Sequence, residues 1–319
     1  MKLKHFFRMW LIYSVLLFAS SYAIAIDQVK IIAAFPAGGG TDAIARMFAD
    51  RLRATIPATT FVIENKPGAN GNLGAIATAR SATDGRTLLV TSDGVITVNH
   101  KLYKNVGFSP NELTPLGLMA TQASVLVVPQ NSPIRTVTQF IMESKKRELS
   151  YSSGGIGSAG HLTMAYLDST AGTRHLHVPY TGGAPAILSL IGNQVDCAFV
   201  ALPNALQHIQ SGKLRALAVS SPERSASLPE VPTMIESGYK DFQVVTATLL
   251  MAPSMTPPDV RERWAKSLAD FVQTKDFQTK LLQIGMEQKY LPAEETAEWL
   301  NSERKKWESI IVKNNINAE

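Results

Sequence analysis

Val29-Lys30-Ile31-Ile32-Ala33-Ala34-Phe35 is a short apolar β run, and Pro36-Ala37-Gly38-Gly39-Gly40-Thr41-Asp42 stops it with a glycine-rich turn. Ile44, Met47, Phe48 and Leu52 then recur at helical spacing, so the turn opens a helix capped by Thr41 or Asp42 that runs to about Ala54. The same unit returns later. Leu149-Ser150-Tyr151-Ser152-Ser153 enters Gly154-Gly155-Ile156-Gly157-Ser158-Ala159-Gly160, and a helix follows from His161 to about Ser169. Strands spaced by helices argue a parallel α/β sheet, and two such units imply two lobes of similar design.

The intervening chain fits this reading. Strands are expected at 61–63, 87–91, 125–128, 175–178, 196–200, 214–219 and 248–251, with helices near 72–80, 136–146, 184–191 and 203–210. The last third reads as helical. Thr256-Pro257-Pro258-Asp259 marks a helix start, and Ala293 to Lys313 is amphipathic, with Trp299, Leu300, Trp307, Ile310 and Ile311 as its buried stripe.

With 319 residues, 45% of them hydrophobic, there is material for two domains. A single cysteine, Cys197, excludes a disulfide framework, and no Cys/His spacing suggests structural zinc. Lys2, Lys4 and Arg8 precede an apolar run, Met9 to Phe18, that is too short to span a bilayer, and Ala23-Ile24-Ala25 offers small residues where signal peptidase reads them. Residues 1–25 are therefore expected to be a signal peptide, leaving a soluble, exported chain. Without them the +5 formal charge falls to +2, from 28 basic and 26 acidic residues, which is no footprint for nucleic acid.

Gly155-x-Gly157-x-x-Gly160 matches a dinucleotide fingerprint between strand and helix, but Val178-Pro179-Tyr180-Thr181 stands where a ribose-binding acid belongs, so no cofactor is expected. The physics of the turn remains: glycines bring backbone N–H groups at a helix N-terminus close to an anion. Pro36 to Asp42 makes the same offer from the first lobe, and two facing turns could clamp one small anion. No nucleophile elbow or zincin motif appears, so catalysis is not expected. His175-x-His177 reads as two neutral surface histidines rather than a metal pair. His161 either bonds locally or touches ligand, and Asp196 is either a structural acceptor or a ligand-facing carboxylate.

Several stretches together resemble the periplasmic substrate-binding proteins of tripartite tricarboxylate transporters, the Bug-type receptors. They are Phe35 to Asp42 with Arg46, Glu64-Asn65-Lys66-Pro67-Gly68-Ala69-x-Gly71-Asn72-x-Gly74, Ser153-x-Gly155-x-Gly157-Ser158-x-Gly160-His161, Val178-Pro179-Tyr180-x-Gly182-Gly183-Ala184 and Gly212 to Ala218. The resemblance implies a type II periplasmic-binding fold, with two Rossmann-like lobes joined by a two-strand hinge near Gln122–Ser124 and Thr246–Leu249. Lobe 1 would hold residues 26–124 plus 247–319 and lobe 2 residues 125–246. It implies Venus-flytrap closure on a small carboxylate held by Phe35, Gly39, Gly40, Thr41, Asp42 and Ser92 from lobe 1. From lobe 2 it implies Gly157, Ser158, Ala159, Gly160, His161, Tyr180, Thr181 and Asp196. The partners it implies are that ligand and a membrane permease, served by a monomeric solute-binding protein. A signalling receptor and an exported hydrolase are the alternatives. Thr181, Val200-Ala201 and Thr246-Ala247-Thr248 depart from the family's usual residues, so a particular ligand does not carry over.

The export reading has a direct measurement. N-terminal sequencing of the protein from a periplasmic extract should read from Ile26, and an intact Met1 in the membrane fraction would replace the signal peptide with an anchor.

Overall fold

The computed structural model describes residues 27–316, so the expected signal peptide and its cleavage site lie outside the described residues. In chain order the first half runs β1 (Asp27–Ala33), α1 (Gly40–Thr55), β2 (Thr59–Asn65), α2 (Asn72–Ala79), β3 (Thr87–Ser92), α3 (Gly94–Thr97), α4 (Asn99–Leu102), β4 (Leu113–Pro129), α5 (Val137–Lys146) and β5 (Leu149–Ser153). The second half runs α6 (Ala159–Ala171), β6 (His175–Pro179), α7 (Gly183–Ile191), β7 (Cys197–Ala201), α8 (Leu202–Gln210), β8 (Leu214–Val219), β9 (Val245–Pro253), α9 (Pro258–Val272), α10 (Lys275–Gln283), β10 (Glu287–Pro292) and α11 (Ala293–Lys313).

The strand order is β2-β1-β3-β9-β4-β7-β5-β6, with β8 and β10 also on β4. β1 pairs in parallel with β2 and β3, and β5 with β6 and β7. Ile31, Ile32, Ala33 and Ala34 are all buried, as a parallel strand covered on both faces requires. In α1, Ile44, Ala45, Phe48 and Leu52 form the inward stripe, while Arg46, Asp50 and Arg51 face out.

β4 serves both halves of the molecule. Its residues 113–123 pair with β9, and β10 adds to the same stretch, whereas 124–129 pair with β7 and β8. The pairing changes partner between Ala123, opposite Val245, and Ser124, opposite Ala201. Ser220, fully buried, clasps this point: its hydroxyl accepts from Ser124 N–H at 2.9 Å and donates to the Val244 carbonyl. Ser220 N–H donates to Ser124 O, and Val244 N–H to Ser220 O.

Two elements differ from the sequence reading. Residues 113–122 extend the strand expected at 125–128 into one of 17 residues, and 287–292 form a strand inside the segment read as helical. Glu287-Gln288-Lys289 carries no apolar alternation; antiparallel pairing with 117–121 of β4 makes it a strand.

α11 lies across the lobe division. Leu300 packs with Ile32, Leu89 and Leu249 of lobe 1, whereas Trp307, Ile310 and Ile311 enter the cluster of Leu126, Phe140, Tyr151 and Phe199 in lobe 2. Trp299 is only half-buried. Of the 247–319 segment, the end of α11 thus packs on lobe 2.

Asp93, just after β3, ties lobe 1 to the crossing: Asp93 N–H donates to Ala247 O, and its Oδ1 accepts from Ala247 N–H, both at 3.0 Å. Burial, then the nearby Glu303 carboxylate, pushes the Asp93 carboxyl up to about 7, against the pull of Ala247 N–H and Lys306. A carboxyl that holds its proton more tightly folded than unfolded stabilises fully below pH about 4, and that contribution is lost as pH rises through about 7. The parent should therefore lose about 2–3 kcal/mol from this group between pH 5 and 8, and Asp93→Asn should show a flatter stability profile. Chemical denaturation across that range checks it; parallel profiles would refute the assignment.

Candidate functional site

The first-lobe turn is built by one carboxylate. Asp42 is buried, its Oδ2 accepts from Gly38 N–H and Arg46 Nε at 2.9 Å each, and its Oδ1 accepts from Asn65 Nδ2 at 2.8 Å. Burial pushes this carboxyl up, but the bonds from Arg46, Gly38 and Asn65 outweigh it and hold it below the usual carboxylate range. Asn65 Nδ2 also donates to Phe35 O, so strand end, turn and helix are fastened together. The Asp42 side chain therefore supports the turn from within. What the turn presents is backbone: α1 starts after Gly39 with no side-chain cap, and Ala43 N–H makes the first bond back, to Gly39 O. Among the described residues, the N–H groups of Gly40, Thr41 and Asp42 have no hydrogen-bond acceptor, the orphan donors of a helix start.

The second-lobe turn rests on two histidines. His161 and His177 stack with centroids 4.0 Å apart, and Tyr151 stacks on His177 at 4.8 Å. His161 Nδ1 accepts from Gly157 N–H at 3.1 Å, which places its own proton on Nε2. His177 Nε2 lies 2.6 Å from Ser153 Oγ, which accepts from Gly155 N–H. Burial, with repulsion from His177 adding at His161, pulls both imidazoles down to about 4, so both are neutral at pH 7. His175 is not at the surface either: it is buried, stacks on Phe140 and lies 2.9 Å from Ser144 Oγ. The expectation of two surface histidines fails because Phe140 and Tyr151 cover the rings.

Ser158 caps α6 through its side chain, accepting from His161 N–H, and Leu162 N–H bonds to Ser158 O. Among the described residues, Ala159 and Gly160 N–H are left without acceptors. Gly160 itself answers packing: a Cβ there would stand 2.1 Å from the Phe199 carbonyl of β7. A Cβ at Gly40 would come within 2.9 Å of Met286 Sδ, so a side chain there would have to displace the end of Met286.

Ser92 ends β3 and Phe35 lies two residues past the end of β1, on the same edge as the first turn, and the Phe35 ring packs over Gly71. Tyr180 and Thr181 follow β6 beside the second turn; the Tyr180 hydroxyl reaches toward Gln194 at 3.4 Å, and Thr181 is exposed. Asp196 is not brought to this edge. It accepts from Ser150 N–H and hydroxyl at 2.8 Å and from Arg147 at 3.0 Å, at the opposite ends of β5 and β7. Four residues of strand, about 13 Å, separate Ser150 from the turn. The ligand-facing alternative for Asp196 is thus replaced by the structural one: burial raises its carboxyl, and bonds from Ser150 and Arg147 bring it below the ordinary range.

The two edges face each other and touch. Asn70 Nδ2 lies 3.5 Å from Gly157 O, a Cβ at Gly157 would stand 2.2 Å from Leu102 Cδ1, and Gly285 abuts Leu202 and Leu206. Asn70, Leu102 and Met286 were not singled out by the sequence; only their partners' glycines hinted at close approach. Among the described residues no helix is long and apolar enough to cross a membrane, and no cluster of metal-binding side chains occurs.

Comparison with known proteins agrees with this architecture. The chain matches the Tripartite tricarboxylate transporter family receptor over residues 44–316. It is 35% identical over 288 residues to the UPF0065 protein in the tcbD-tcbE intergenic region of Pseudomonas sp. (strain P51), covering 89% of this chain and 85% of that one. Periplasmic binding protein BugD superposes with TM-score 0.81 at 34% identity, over 92% of this chain and 99% of BugD. An R. palustris protein solved with adipate gives 0.85 at 28% identity, over 92% and 99%. The fold is that of these binding proteins, and the chain belongs to the tripartite tricarboxylate transporter receptor family, a family of solute-binding receptors rather than enzymes.

Proposed function

We propose that this chain is a periplasmic solute-binding protein that captures a small carboxylate between its lobes and delivers it to a tripartite tricarboxylate-type membrane permease. One observation carries the reading: each lobe turns the start of a long helix toward the cleft with backbone N–H groups that have no internal acceptor. Gly40, Thr41 and Asp42 offer theirs from α1, and Ala159 and Gly160 from α6. Orphan N–H groups and the positive end of the helix dipole together favour an anion. Two such ends across one cleft suit a ligand with a carboxylate at each end, and adipate, bound by the R. palustris relative, has that form.

In this reading the Asp42, His161 and Gly157 side of the site is scaffold, and Ser92, Phe35, Tyr180 and Thr181 border the ligand. Bridging both lobes makes the closed form bind more tightly than the open one, and that difference drives closure. The export signal read in residues 1–25 agrees with a periplasmic site of action.

A thermal-shift screen of mono-, di- and tricarboxylates should find a ligand that raises the melting temperature by mass action. Ala159→Pro then tests the donors themselves. Residue 159 is the first of α6, and Ser158 at φ −63°, ψ 157° already accommodates a following proline. The variant should fold normally yet lose one charge-assisted hydrogen bond, weakening the screened ligand about tenfold or more by calorimetry. Full affinity in Ala159→Pro, or no carboxylate shifting the parent, would count against the reading.

A further inference from the structure

Gly157 has neither peptide group to spare for a ligand. Its N–H donates to His161 Nδ1, and its carbonyl meets Asn70 Nδ2 from the other lobe. Its backbone sits at φ +78°, and the face where a Cβ would project is filled by Leu102, also from lobe 1. Glycine is needed there by conformation and again by the neighbour that lobe 1 presses against it.

Asn70 is built to reach this point. It stands at φ 50°, ψ 41°, directly after Ala69 at φ 45°, two successive non-glycine residues in the left-handed region. Such backbone persists only where its surroundings fix it. Asn99, fully buried, does so: its Oδ1 accepts from Asn70 Nδ2 at 2.9 Å, and its Nδ2 donates to Asn70 O and to Asn72 Oδ1. A side-chain amide carries two hydrogens. Asn99 takes one from Asn70, and the other points across the cleft to Gly157 O. The asparagine network thus fixes a loop tip whose remaining donor meets its protein acceptor on the opposite lobe.

We propose that Asn70 is the latch of the closed form, a positioning residue that holds the lobe-2 glycine turn against lobe 1 through the Gly157 carbonyl, with Leu102 as the apolar half of the contact. The proposal builds on the proposed cleft only in that the latched turn is the one carrying Ala159 and Gly160. Closure would then be partly populated before any ligand arrives, and a ligand bridging the turns would complete a bias already present. The bond is long and neutral, so it tilts the equilibrium without locking it.

The test needs no ligand. Spin labels on Arg51→Cys in α1 and Lys145→Cys in α5, both exposed, report the distance between lobes, while the buried Cys197 stays unlabelled. Asn70→Gly keeps the left-handed backbone and removes the amide; Asn70→Asp keeps the shape and sets an acceptor against the Gly157 carbonyl. Relative to the Asn70 protein with the same labels, both should shift the closed-to-open ratio about threefold to tenfold toward open, in proteins shown folded by circular dichroism. Glycine tolerates the backbone, so Asn70→Gly remains informative even if Asn70→Asp fails to fold. Identical distance distributions in Asn70→Gly and its parent would overturn the latch. Carboxylate binding would survive that result, and a failed carboxylate screen would leave the distance measurement untouched.

Discussion

Everything in this molecule is arranged around a strand that belongs to two sheets. β4 gives residues 113–123 to one lobe and 124–129 to the other, so every other strand connects to its counterparts in the opposite lobe through β4 or through the β9 strand beside it. A chain that changes partners mid-strand exposes backbone donors and acceptors at the switch, and buried unpaired groups there would cost about 1–3 kcal/mol each. Ser220 supplies what is missing, accepting from Ser124 N–H and donating to Val244 O, all three residues being buried. With the crossing satisfied, closure as proposed above would pivot about it while the ladders on either side stay intact.

That constraint sets which contacts between lobes are strong and which are weak. Near the crossing, Trp307, Ile310 and Ile311 of α11 are buried in the second lobe's core while Leu300 is buried in the first. Full burial of each such side chain contributes about 1.5–3 kcal/mol. Elsewhere the contacts between lobes include the long hydrogen bond from Asn70, Leu102 against Gly157 and within the second lobe's core cluster, the apolar seat of Gly285 and the bond from Ser227 Oγ to Leu282 O. A neutral hydrogen bond contributes about 1 kcal/mol net. In the closure proposed above, the crossing would be the pivot and the glycine turns the moving edge.

Much of this was legible in the chain, and the reasons for the rest are physical. The two strand–glycine–helix units were readable because Ile44, Phe48 and Leu52 recur at helical spacing and glycines punctuate the turns. β10 was not, because Glu287-Gln288-Lys289 becomes a strand only by pairing with β4, a contact more than 160 residues away in sequence. Among candidate site residues, sequence located the two turns but could not separate donors from supports. Asp42 and Asp196 look alike as acids beside apolar runs, yet one fastens a turn at the cleft and the other an opposite strand end. Gly157 and Gly160 share a motif, yet one faces Leu102 of the other lobe and the other Phe199 of its own.

The distribution of polar groups explains why the supports must be so fully paired. A helix N-terminus can give its free N–H groups to an anion only if nothing nearer takes them, and a turn with idle carboxylates or mobile imidazoles would compete for its own donors. Here Asp42 is committed to Gly38, Arg46 and Asn65, and His161 to Gly157 N–H, so the acceptors closest to each turn are already occupied. The histidines are also kept neutral by burial, which leaves the second turn's attraction for an anion to its backbone rather than to a titrating charge. Pairing the supports is thus what leaves the first N–H groups of α1 and α6 without internal acceptors, free for the anion proposed above.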